Sequence, residues 1–416
     1  MKIAPSAKQI GLLSIPVLIA ALGYFVDIYD LLLFSIIRQP SLSSIGLTLE
    51  EVDSKGLLII NVQMIGLLLG GIISGIIGDK KGRLSVLFGS ILLYSLANIA
   101  NGLVQTVEQY TICRFIAGIG LAGELGVGIT LVSEILPKEK RGIATSLVAG
   151  IGLSGAVLAF ILKENFHWRT CYFIGGGMGL LLLIMRVGVF ESGMFSQLKN
   201  EDVPRGKFLM LFNNKERFFR YLKSILIGLP NWFVIGILIT FSNKFGKEFR
   251  IAEKIDPGKA VMYAYAAISI GDILIGFLSQ YLKSRKNALF IYYAITAVAI
   301  YLFFFQLYDS NANRLYLVSA LLGFGTGSWA MFVTMGAEQF GTNLRATAAT
   351  TIPNMVRGSL TIITLLFTSL QGSFSYAHSG LITGIIVMSI GLLAVYFSKE
   401  TFGKDLNYYE VEEPLA

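Results

Sequence analysis

The sequence predicts an all-α membrane protein of twelve transmembrane helices in two six-helix halves, and three observations carry that prediction. Hydrophobic residues make up 54% of the 416 residues and charged residues only 14%, too few charges to cover a soluble protein of this size. The apolar residues fall in runs of about 20, the length of helix that crosses a bilayer. A charged segment of the first half, SEILPKEKRGIA (Ser133–Ala144), is echoed in the second by AEQFGTNLRATA (Ala337–Ala348), with Glu134 and Arg141 matched by Glu338 and Arg345.

The first run, 11–37, begins directly after Met1–Lys8. It is too long for a cleaved leader, contains Asp27 and Asp30, and has no small-residue cleavage pattern, so it is expected to remain as a span. Further runs follow at 56–77, 84–103, 107–132, 142–162 and 168–189, completing an N-terminal half over 1–190. Residues 191–220 are polar and basic and read as a cytoplasmic linker. The second set lies at 221–243, 259–282, 287–307, 314–336, 346–369 and 379–397, a C-terminal half over 221–398 followed by a short tail, 399–416. Transmembrane strands would alternate over segments of about 10 residues, a pattern the chain does not show.

The net charge of +8 would suit a nucleic acid only if it formed a basic face or stripe. Here the basic residues form short clusters between apolar runs, so the partner is the lipid bilayer and no nucleic acid is expected. With the N-terminus inside, most of the 34 basic residues fall on the cytoplasmic side. Both termini are therefore expected in the cytoplasm. Short loops without an Asn-x-Ser/Thr acceptor fit a multi-pass protein of a bacterial cytoplasmic membrane. Cys113 and Cys171 lie in or beside apolar runs, and His167 and His378 are far apart. Neither a disulfide framework nor a metal centre is indicated, and no cofactor is expected. Parallel six-helix halves are a transporter architecture with the substrate site near the midplane between them; the design needs no partner chain, and a monomer is expected.

GIIGDKKGRL (Gly75–Leu84), between spans two and three, resembles the signature loop of the major facilitator superfamily. Gly75, Asp79, Lys80, Gly82 and Arg83 occupy its positions, with Leu84 where a final basic residue is usual. Similar segments are RFIAGIGLAGELGVGITLVSE (Arg114–Glu134), PKEKRG (Pro137–Gly142), HWR (His167–Arg169) and EQFGTNLRATA (Glu338–Ala348). The second-half counterpart of the loop, GFLSQYLKSRK (Gly276–Lys286), lacks the aspartate. Gly193 stands where sugar-transporting members have proline, which speaks against a sugar. GYFVDIYDLLLF (Gly23–Phe34) is similar to the first span of proton-coupled phosphate and aromatic-acid symporters. Gly236, four after Trp232, replaces the aspartate of the phosphate pattern. Span eleven, LRATAATTIPNMVRGSL (Leu344–Leu360), is similar to aromatic-acid and organic-anion transporters, which carry an arginine where Arg357 stands. The resemblance implies a non-enzymatic secondary transporter that moves a small organic anion with protons by alternating access. A proton-driven exporter of a metabolite or drug, or a neutral-solute symporter, is the alternative. Tyr29-Asp30 and Gly271-Asp272 also resemble the dipeptides of intramembrane aspartyl proteases, but twelve spans with an internal repeat do not suit that class.

Asp27 and Asp30 are three apart, hence neighbours on one helix face. A charge at the membrane centre costs about 2.5–3.5 kcal/mol, and two adjacent carboxylates do not both ionise readily in low dielectric. They are the proton-coupling candidates, with Asp27 first, and Glu124 joins them from the glycine-rich fourth span. The plainer alternatives are that one aspartate pairs with an arginine and that Glu124 pairs with a cation such as Arg357. Arg357 shares a face with Thr350, Asn354 and Thr361. Guanidinium stays charged and grips carboxylates through parallel hydrogen bonds, so Arg357 is the candidate substrate clamp. Tyr24, Asn231, Trp232, Trp329, Asn354 and Asp272 are further substrate-site candidates, although membrane aromatics more often pack. Arg114, toward the outer end of span four, reads as structural. Asp79, Arg83, Glu134, Arg141, Glu338 and Arg345 are expected to form a cytoplasmic gate of ion pairs between the halves.

Overall fold

The computed structural model describes residues 11–12, 14–137, 139–186 and 205–411. Most of the expected linker, 191–204, and the last five tail residues therefore lie outside the described residues. The described chain is helical throughout its ordered elements, with no strand. Lipid offers no hydrogen bonds to an exposed backbone, so apolar runs must satisfy their amides within the helix. Eleven helices are long and apolar enough to cross a membrane, from Ile15–Ser44 to Tyr376–Tyr396. The remaining span of the twelve, span eleven, is the broken pair Arg345–Gly358 and Leu360–Leu370. Its first piece is rich in threonine and carries Arg345, Asn354 and Arg357, which dilutes its hydropathy.

Several bounds differ from expectation; span two, expected over 56–77, is a helix over Leu49–Lys81. Span one continues past residue 37 to Ser44, through Pro40. The Ser41 and Ser44 hydroxyls donate to the carbonyls of Arg38 and Ser41 at 3.1 and 2.8 Å, so this polar end stays helical. Span seven begins at Lys215 rather than 221, capped by Asn214, whose side chain accepts the amide of Arg217 at 3.0 Å. The end of the expected linker is thus part of a helix.

Glycines at matching places set the packing inside each half. A methyl on Gly118 would strike the Gln63 carbonyl, and one on Gly323 the Ala264 carbonyl. Likewise Gly120 lies on Tyr94 and Gly325 on Thr296. The same close approach of spans two to four recurs in spans eight to ten, as the repeat requires. Small residues also line the seams between halves: Gly71 against Asn354, Gly126 against Thr350, Gly150 against Ile273 and Gly276 against Ser146. Without a hydrophobic driving force between helices in lipid, such close packing is what holds them together.

Several spans are interrupted midway. Span four breaks at Ala122–Gly123, span five at Ser154, span ten at Gly327–Ser328 and span eleven at Ser359. Span seven passes into a π-helical turn, Val234–Ile239. π-turns and broken helices concentrate at functional sites, and here Leu153, Ile235, Thr326, Trp329 and Arg357, beside these interruptions, all face one central cavity.

Candidate substrate cavity and gate

A narrow cavity lies between the halves. Tyr24, Ile28 and Leu31 of span one form one wall, and Trp232, Tyr265 and Trp329 of the second half form the other. Arg357 closes the wall from span eleven. Its guanidinium donates to Asn354 Oδ1 at 2.9 Å and lies over the Trp329 ring at 5.5 Å. No carboxylate of the described residues lies within ion-pair distance of it. Trp329 in turn meets Trp232 edge-on, with ring centroids 6.4 Å apart.

Apolar ring faces with polar tips are the usual make-up of a small-molecule site. The tips here lack partners. Of the lining, Tyr24 Oη, Trp329 Nε1 and Arg357 Nε are buried with no hydrogen bond among the described residues, as are Asp27 Oδ1, Asn231 Nδ2 and Asp272 Oδ2 outside the lining. Buried polar atoms are nearly always satisfied, so the three orphans of the lining mark a place for a polar ligand or ordered water. Among the described residues Asp27 makes no ion pair, and Arg357 and Arg186 are the cations that act on it. Asp272 does not line the cavity. Its Oδ1 accepts the amide of Ala330 at 3.0 Å, at the interruption of span ten.

The other acids sit elsewhere. Asp30, one turn from Asp27, is turned into the first half, where Arg114 Nη2 reaches its Oδ1 at 2.9 Å. Arg114 also donates to Asn98 Oδ1 at 2.8 Å and lies over the Tyr172 ring. Glu124 does not meet Arg357: its partner is Arg186, at the end of span six, which also donates to the Leu87 carbonyl at 3.0 Å. Gly23 lies against both partners, where a methyl group would collide with the pair. Sequence reasoning passed over Arg186 as an end-of-span charge. An intramembrane glutamate without an assigned cation was the available signal.

At the start of span eleven, charged groups join the two halves. Asp79 accepts the amides of Ala346 and Thr347 at 3.1 and 2.8 Å and the Thr347 hydroxyl at 2.7 Å, capping the start of span eleven from the opposite half. A carboxylate at a helix N-terminus meets unpaired amides and the positive end of the dipole. Arg83 joins Glu134 at 2.8 Å and the Thr342 carbonyl at 3.0 Å, and Arg345 reaches the same Glu134 at 2.9 Å. Of the expected gate residues, four gather here. Glu338 instead pairs with Arg285 at 3.2 Å, inside the second half. Arg141 makes no ion pair among the described residues and donates to the Lys404 carbonyl of the tail at 3.2 Å.

Two packed sets of spans around a polar-tipped cavity, latched to each other by charged groups, make this a membrane transporter. A model of the Major Facilitator Superfamily matches residues 17–365, and the chain belongs to that superfamily, whose members transport rather than catalyse. It is 26% identical to the cis,cis-muconate transport protein of Acinetobacter baylyi, over 92% of this chain and 94% of that protein. It is 25% identical to the niacin transporter of the same organism, over 93% and 94%. Among solved structures, the proton:xylose symporter XylE bound to 6-bromo-6-deoxy-D-glucose superposes with a TM-score of 0.74 at 17% identity, covering 94% of this chain and 97% of that one. That likeness concerns the fold.

Proposed function

We propose that the protein is a secondary transporter of the cytoplasmic membrane that carries a small organic carboxylate inward with protons. Arg357 carries the reading: a buried guanidinium, unpaired with any acid of the described residues, set over a tryptophan face at the cavity wall. A carboxylate would take its free N–H groups while an apolar body packs on Trp329 and Trp232. Asp27 would load a proton as the anion arrives, since the anion replaces it as counter-charge to Arg357. The latched end, beside the basic clusters, would face the cytoplasm with both chain ends, and unlatching of the Glu134 bridge would let the halves rock inward. The division at 1–190, 191–220, 221–398 and 399–416, and a monomeric state, belong to the same proposal. The relatives named above are designated carriers of muconate and niacin, both carboxylic acids, which supports an anion.

The test compares matched ligands on purified protein. A ligand that binds the folded state raises the melting temperature, by about 2.7 kcal/mol of stabilisation at a hundredfold excess over Kd. Nicotinate and cis,cis-muconate should stabilise the wild type and not Arg357→Gln, and neutral nicotinamide neither. Equal shifts of both proteins by nicotinamide, with none from the acids, would end the anion reading.

A further inference from the structure

The charges buried within the membrane layer do not cancel. Among the described residues, Asp27, Asp30, Glu124 and Asp272 are set against Arg114, Arg186 and Arg357, all of them buried. Asp30 is neutralised by Arg114, and Glu124 by Arg186. Two carboxylates, Asp27 and Asp272, then share one remaining cation. An uncompensated carboxylate in a dry interior is strongly disfavoured, so one of the two holds a proton when the cavity is empty.

Their surroundings decide which. Arg357 acts on Asp27, whereas the groups that act on Asp272 are backbone amides of Ala330 and Trp329, with no cation among them. The titratable side chains facing Asp272 are Tyr292 of span nine and Tyr24 of span one. Tyr292 is engaged, donating to the Gly271 carbonyl at 2.6 Å. The hydrogen bonding of Asp272 also fits a neutral acid: Oδ1 accepts the Ala330 amide as a carbonyl oxygen would, and Oδ2 is without a partner. Gly271, packed on the backbone of Gly327, fixes the carboxyl at the interruption of span ten.

We propose that Asp272 keeps a resident proton through the whole cycle, so that a monocarboxylate crosses with one net proton and no net charge. In the empty carrier the Asp27 carboxylate balances the charge of Arg357 across the cavity without an ion-pair contact. In the loaded carrier the substrate carboxylate takes Arg357, and Asp27 gains the single proton that travels. The Asp272 proton stays, and its carboxyl positions Trp329 through the Ala330 amide. The coupling half of this inference rests on the proposed function; the resident proton does not.

Two measurements on the full chain separate them. Infrared spectra in lipid at neutral pH should show a protonated-carboxyl stretch that Asp272→Asn removes and Asp27→Asn leaves; absence of such a band overturns the proposal. In proteoliposomes with labelled nicotinate, a pH gradient should drive accumulation at one proton per nicotinate, and a membrane potential alone should not. Asp272→Asn should keep that ratio, because the amide mimics the neutral acid. Asp272→Ala should raise KM about tenfold through loss of the acceptor, with rescue by the Asn variant. Uptake driven by potential, or loss of gradient-driven uptake in Asp272→Asn with exchange retained, overturns the proposal. A band at Asp272 with no transport of any carboxylate upholds the resident proton and removes the anion symport.

Discussion

At the start of span eleven, Glu134 accepts from Arg83 of its own half at 2.8 Å and from Arg345 of the other half at 2.9 Å. Its repeat partner Glu338 accepts from Arg285 at 3.2 Å and from the Thr401 hydroxyl at 2.7 Å, both in the second half. The arginines diverge in the same way. Arg141 and Arg345 both turn back onto a carbonyl five residues earlier, Leu136 and Phe340, at 3.3 Å. Arg345 then crosses the seam to an acid, while Arg141 takes a carbonyl of the tail. One loop carries the capping Asp79, and the other offers Arg285 only the Ser279 hydroxyl at 3.0 Å where the first half has an acid. Duplicated residues form a latch between halves on one side and a brace within a half on the other.

That difference can be broken most directly at the two glutamates. Glu134→Gln leaves Arg83 and Arg345 without their bridging charge, and removing one member of a buried pair costs about 3–5 kcal/mol. The cost falls on the closed state, so in a Gly78→Cys background, at a position packed against Ala346 of the other half, the thiol should become far more reactive toward a membrane-impermeant reagent added on the side of the latch. Glu338→Gln should lower the melting temperature by a similar step and leave that reactivity near the wild-type level. Equal exposure in both variants would mean that both clusters latch the seam.

A smaller effect is expected from the tail, which runs along the same face. Glu410 accepts from Arg217 and Arg220 at 3.3 and 3.1 Å, and its backbone pairs with the Asn343 side chain at 2.9 Å. Thr342 and Arg345 reach the backbone of Tyr408 and Leu406. Most of these anchors are in the second half; the Arg141–Lys404 contact crosses to the first. Glu410→Gln should cost about 1.5–3 kcal/mol, the range for hydrogen bonds to a charged group, and expose the tail to limited proteolysis. Gly78 should stay protected. Its exposure would make the tail part of the latch.

The fold was legible in the sequence wherever apolar length decided it: every expected run falls on a helix, and matched glycines in spans four and ten occupy matched contacts. The interruptions were not legible. Ser154, Gly327 and Ser359 are ordinary residues in apolar surroundings, and the break depends on what packs beside them. For the site, residue types pointed to the cavity wall at Tyr24, Trp232, Trp329 and Arg357, because a membrane interior admits few polar side chains. Pairing was harder to read. Spacing placed Asp27 and Asp30 on one face, yet one turn of helix is enough to send Asp30 to Arg114 while Asp27 remains unpaired. Glu124 with Arg186, and Arg285 with Glu338, join residues more than fifty positions apart, and no local pattern encodes such partners.

The smallest prediction sharpens the contrast between a capping acid in the seam and one outside it. Glu400 caps the start of span nine from the tail: the amides of Arg285 and Lys286 donate to it at 2.9 and 3.2 Å, and the Ser284 hydroxyl at 2.5 Å. Burial works against its charge, but the Ser284 hydroxyl and the amides of Phe402, Arg285 and Lys286 prevail and hold the carboxyl below its ordinary range. A folded-state value below the unfolded one stabilises the fold above the unfolded value, and that gain is lost as pH falls through the folded one. The window therefore opens near pH 4, the usual carboxylate value, and extends to the acid side. Its exposure limits the effect to about 1 kcal/mol or less. The melting temperature of wild type should exceed that of Glu400→Gln at neutral pH, and the two should converge as the medium is acidified below that window. Because Glu400 lies off the seam, reactivity at Gly78 should not follow this titration. A parallel rise in Gly78 reactivity on acidification in the wild type, absent from Glu400→Gln, would place the brace and the latch in one cooperative unit.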